Sequence, residues 1–145
     1  MQVDFYHLSQ PIERVLPVLA EKVVGSGGRL LVVSADAGQR RSLDRLLWEY
    51  DAESFLPHAQ AGEGDDGAQP ILVSAEVSAA NGARLVLLAD GVWRDEALGF
   101  DRALHLFGEE NIGAAREAWR GLKERDGVER RYWQQDERGK WRQAA

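Results

Sequence analysis

The chain has 145 residues, 44% hydrophobic and 29% charged, with a formal net charge of −6 and no cysteine. That length can bury one core without disulfides or metal, so a single domain over residues 1–145 is expected; the absence of cysteine excludes a disulfide framework, a thiolate zinc site and a cysteine nucleophile. The acidic balance argues against a general nucleic-acid binder, which would be strongly basic.

The opening "MQVDFYHLSQPIERV" has no basic stretch followed by an apolar one, and no apolar run approaches the roughly 18 residues that span a bilayer. A soluble, unprocessed, cytoplasmic chain with no membrane contact is therefore expected. Val3 to Leu8 alternate and carry aromatics, as a first strand does. Ile12, Val15, Leu16, Leu19, Ala20, Val23 and Val24 then recur at the spacing of one helical face. Pro11 suits the first turn, Pro17 inside the pattern should kink the helix, and "GSGG" from Gly25 stops it.

"RLLVVS" is a short aliphatic run of the kind buried on both faces of a parallel sheet. Ser34 or Asp36 can cap the helix that follows, whose Leu43, Leu46 and Leu47 lie on one side. "PILVS" from Pro70 and "ARLVLLAD" from Ala83 read as further strands, and "DRALHLF" as a possible one. The last helix, "ENIGAAREAWRGLKERDG", aligns Ile112, Ala115, Trp119 and Leu122, and Gly127 ends it. Such alternation implies an α/β fold, a Rossmann-like open and mostly parallel sheet with helices on both faces. No internal repeat is visible.

Charge is unevenly spread. From Asn111 onward there are nine Lys or Arg against six Asp or Glu, so a basic helix and tail follow an acidic body. That asymmetry hints at an acidic partner, although taken alone a solvated helix face and tail is the simpler explanation.

The residues Gly62 to Gly67 spell G-x-G-x-x-G. Phosphate binding by such a loop requires a strand before it and a helix after it, whereas "PILVS" follows here and the loop's own acids would repel phosphate. His7, His58 and His105 have no metal-ligand spacing, and no serine stands in a nucleophile elbow. No catalytic set, metal site or cofactor is expected. Trp48 and Phe55, seven residues apart beside Pro57, are either caps over the core or anchors for a partner. Arg116, Arg120 and Lys123 form a basic stripe with Trp119 beside it, suited to a peptide both acidic and apolar, or else simply a solvated helix face.

"LLWEYDAESFLPHAQAGEG", with Leu-Trp, Glu-Ser-Phe-x-Pro-His and Ala-Gly-Glu-Gly at fixed intervals, resembles the chi subunit of bacterial DNA polymerase III. The opening "VDFYHL", the strand "RLLVVSAD" and the late "AREAWRGLK" and "YWQQDERGKW" extend the resemblance over essentially the whole chain. It implies a Rossmann-like, non-catalytic accessory subunit of the clamp loader in DNA replication. Such a subunit joins the psi subunit to the acidic, Phe-ending C-terminal tail of single-stranded DNA-binding protein, and so meets DNA only indirectly. The resemblance assigns Trp48 and Phe55 to the surface for psi or a helicase-like partner, and Arg116, Trp119 and Arg120 to the tail. His58 and the glycine loop become scaffold for the first surface. The family has Tyr in place of Trp119 and Lys in place of Ile112, which shifts the expected pocket toward hydrophobic contact. The rival reading is a small nucleotide-binding α/β enzyme with His7 or Asp36 at the strand-end crevice.

Overall fold

The computed structural model describes residues 1–50 and 56–145. Eleven main elements follow one another: β1 (Gln2–His7), α1 (Ile12–Gly25), β2 (Leu30–Val33), α2 (Ala37–Glu49), β3 (His58–Gln60), β4 (Ile71–Ser74), β5 (Leu85–Leu88), β6 (Arg102–Phe107), α3 (Ile112–Leu122), β7 (Glu129–Gln135) and β8 (Trp141–Gln143). The strands form one sheet in the order β3-β4-β2-β5-β6-β1-β7-β8, parallel throughout except for the final β7–β8 pair. This is the expected open α/β sheet.

The aliphatic runs become central strands because both of their faces are covered. Leu30, Val32, Ile71, Val73 and Leu87 enter a core under α1 and α2, while Leu31, Val33, Leu72, Val86 and Leu88 enter a second core under α3. Burying each such side chain contributes about 1.5–3 kcal/mol. Helix α1 runs through Pro17 without a break, and Pro11 precedes it as its cap. Of the two candidate caps for α2, the structure uses Asp36, whose carboxylate accepts the amides of Gly38 and Gln39. Ser34 sits one layer deeper, accepting the Asp36 amide and donating to Gln39 Oε1.

Three differences from the sequence expectation matter for the surfaces. Helix α3 stops at Leu122 and a turn leads on to Gly127, so Lys123 lies just beyond the last helical residue. Strand β3 precedes the glycine loop, and β7 and β8 form a hairpin in a tail that the sequence left unassigned. At the hairpin turn Asp136 Oδ1 accepts the amides of Arg138 and Lys140, and Gly139 adopts a φ of 82°, which favours glycine.

Candidate functional site

Helix α3 lies over β1 and β7, and its two sides differ sharply. Ala115 and Leu122 are buried, Ile112, Ala118 and Trp119 pack partly against the core, and Arg116, Arg120 and Lys123 are exposed. No ion pair engages those three cations among the described residues. The structure thus keeps Arg116 and Arg120 one turn apart on the exposed side of α3.

Trp119 behaves differently from its neighbours. Its ring meets Phe5 edge-on at 5.3 Å and Tyr132 edge-on at 5.6 Å, so it closes an aromatic cluster rather than standing between the two arginines. The Arg130 guanidinium lies 4.1 Å from its ring centre and donates to the Trp119 carbonyl at 2.5 Å. A fourth cation, eleven residues beyond Trp119, therefore belongs to this surface. Sequence reasoning missed it because the contact comes from the β1–β7 pairing, with Val3 opposite Arg130 and Phe5 opposite Tyr132. Burial pushes the Tyr132 phenol up, opposed by the positive charge of Arg116 and helped by Glu109, so these charges converge on one corner of the surface.

The same cluster contains His105, 1% exposed, with both ring nitrogens lacking a hydrogen-bond partner among the described residues. Burial pushes its pKa down to about 4. Phe5 meets it edge-on at 5.3 Å and Trp93 at 5.7 Å, so it acts as one more packed ring.

The second expected surface is at the end of α2. Trp48 is 60% exposed and rests edge-on against His58 at 4.8 Å. His58 is buried, its Nδ1 2.7 Å from the Leu56 carbonyl and its Nε2 2.9 Å from the Asp44 carbonyl. Those contacts pin the ring against which Trp48 rests. Phe55 lies outside the described residues. At the other end of β3, the glycine loop is occupied by its own side chain: the Asp66 carboxylate accepts the Gly62 amide at 3.0 Å, and a short 3-10 turn rather than a helix leads into β4. The strand before the loop fulfils one condition for phosphate binding, yet the amide and the helix start are missing.

The strand-end crevice, where sheets of this kind often bind ligands, has a volume of about 450 Å³ and is lined by Asp90, Glu109 and Glu110 among others. Burial raises the Asp90 carboxyl, but Arg94 and the amides of Ala35 and Val92 more than offset it and hold the pKa below its ordinary value. The negative lining opposes phosphate. Of the two candidate catalytic side chains, Asp36 caps α2, and His7 Nε2 is 2.8 Å from Glu109 with its ring stacked on Phe107. Among the described residues no group of three His, Asp or Glu could hold a metal ion, and no helix is long and apolar enough to cross a membrane.

Residues 1–129 match the family described as DNA polymerase III chi subunit, HolC. The chain is 33% identical over 78 residues to the DNA polymerase III subunit chi of Escherichia coli strain K12, covering 54% of this chain and 53% of that protein. It is 36% identical over 74 residues to the chi subunit of Pseudomonas aeruginosa, covering 48% and 51%. A probable chi subunit from Rickettsia prowazekii is 26% identical over 88 residues, covering 60% and 53%. The chain thus spans about half the length of the curated relatives it matches.

Proposed function

The chain belongs to the DNA polymerase III chi subunit family, and from this premise we propose that it is a non-catalytic accessory subunit that links the clamp loader to single-stranded DNA-binding protein. The observation that carries the proposal is the exposed Arg116 and Arg120 on α3, unpaired among the described residues, beside an aromatic surface that Arg130 extends. Carboxylates of an acidic tail meet the guanidinium groups, and an apolar end rests against the ring cluster. Trp119 serves chiefly as the floor, because its ring edge is already used by Phe5 and Tyr132. A second surface around Trp48, with Phe55 nearby in sequence, docks the psi subunit or a helicase-like protein. Large exposed aromatics of this kind commonly dominate interface energetics.

The tail site is tested by fluorescence anisotropy with a labelled acidic peptide ending in Phe. Arg116→Ala should weaken binding by about tenfold or more, in keeping with the loss of a charge-assisted contact. An unchanged affinity removes Arg116 from the site. Titration of Trp48→Ala with purified psi should show a comparable loss, while its tail-peptide affinity stays at the wild-type level. Rising salt should weaken the tail complex markedly more than the psi complex.

A further inference from the structure

On the face opposite α3, a groove of about 440 Å³ runs between α1 and the β7–β8 hairpin. Its floor is aromatic. Tyr6 and Trp133 stack at 6.3 Å with an interplanar angle of 12°, and Trp141 meets Tyr6 edge-on at 5.0 Å. This arrangement follows from register: Tyr6 pairs with Trp133, and the hairpin returns Trp141 opposite Gln135. The indole N–H of Trp133 donates to buried Asp4 at 3.0 Å, so the floor is held from beneath.

The wall and rim come from one stripe of α1. Arg14, Val18 and Lys22 recur every four residues and so share a helix edge, and Val18 is left 42% exposed. Arg138, at the hairpin turn, supplies a third cation from the other side. No carboxylate lines the groove, and none of the three cations forms an ion pair among the described residues. In a chain of net charge −6 this is a concentrated positive site around an apolar pocket.

We propose that the groove between α1 and the β7–β8 hairpin is a docking site for a short acidic peptide, separate from the surface on α3. One large apolar side chain of the peptide sits between Val18 and Trp141, and its carboxylates meet Arg14, Lys22 and Arg138. A single-stranded nucleic acid fits less well: the Trp133 face is already stacked on Tyr6, and three separated cations around a pocket do not make the continuous track that a phosphodiester backbone needs. The volume suits one buried side chain with its neighbouring backbone.

The test uses the full chain, ¹⁵N-labelled, titrated with a synthetic end-capped peptide of four aspartates around one leucine. Capping removes the free carboxylate that a chain-terminal tail presents. The indole N–H signals of Trp133 and Trp141 should shift saturably, and Arg14→Glu with Lys22→Glu should weaken that titration at least tenfold. Both positions are exposed, and preserved spectral dispersion verifies the fold of the variant. Arg116→Ala should leave the groove shifts unchanged, so failure here is distinguishable from failure of the α3 site. The proposal is overturned if the peptide causes no saturable shift at Trp133 and Trp141, if the charge reversals leave the titration intact, or if decathymidylate gives the same charge-sensitive shifts at lower concentration.

Discussion

Replacing His105 by Leu should change how stability depends on pH far more than it changes stability at neutral pH. The imidazole is 1% exposed, and burial lowers its pKa from 6.5 to about 4. Because the folded value lies below the unfolded one, the full contribution to stability is present above about pH 6.5 and is lost as the pH falls toward the folded value. Each pKa unit is worth about 1.36 kcal/mol, so the full difference amounts to about 3–4 kcal/mol, of which about 2–3 kcal/mol is expressed between about pH 7.5 and pH 4.5. Near pH 7.5 two other effects oppose each other. Removing a ring whose nitrogens lack partners among the described residues relieves about 1–3 kcal/mol, while lost contacts with Phe5 and Trp93 cost about 0.5–1.5 kcal/mol each. The assay is urea denaturation of both proteins at the two pH values, with unfolding free energies compared at constant m. Carboxylates common to both proteins cancel in the difference. The leucine variant should gain about 2–3 kcal/mol on the wild type as the pH falls. A gap that stays constant within about 0.5 kcal/mol refutes the assignment of His105 as a buried neutral ring.

Other expectations follow from individual contacts. Asp4 is fully buried and accepts from Arg102 at 2.7 Å, Gln2 at 2.8 Å and Trp133 at 3.0 Å. Arg102→Met should therefore cost about 2–3 kcal/mol, reduced from a fully buried pair because Arg102 is partly exposed, and adding Asp4→Asn should recover part of the loss in a denaturation cycle. Asp36→Ala removes the cap of α2 and should cost about 1 kcal/mol, seen as a Tm lower by about 2–4 °C in calorimetry. Arg130→Met should lose about 1–2 kcal/mol from the ring contact and the bond to the Trp119 carbonyl, and its coupling to Trp119→Leu in a double-mutant cycle should be clearly above zero.

The central sheet is legible in the sequence because β2, β4 and β5 are continuous aliphatic runs, a pattern that burial on both faces imposes. The β7 segment escaped because both its faces mix arginines with aromatics: Arg130 and Tyr132 on one, Arg131 and Trp133 on the other. No period-two contrast survives such a composition. Strand β3 has only three residues, too few for any pattern to emerge. The basic stripe of α3 was readable from helical spacing alone, and the structure leaves Arg116 and Arg120 exposed as that spacing requires. The inward role of Trp119 was half visible in its alignment with Ile112, Ala115 and Leu122, but Arg130 above it depends on strand pairing across the whole chain. Exposure of Trp48 could not be read from composition, since a helix-end tryptophan covers a core as readily as it meets a partner.

Both borders of the sheet are short. At one side the outermost strand is β3, at the other β8, each of three residues, and the chain beyond β8 continues along β7, so that Ala144 and Ala145 bond the backbone of Tyr132. Among the described residues, little unpaired main chain is on offer at these borders for another strand to join. On the proposed reading, partners are gripped by what protrudes, rings and charges, and substitutions on the surface retune one association without disturbing another. The same brevity protects against a hazard of concentrated assemblies, in which neighbouring copies zip together edge to edge and leave the working pool.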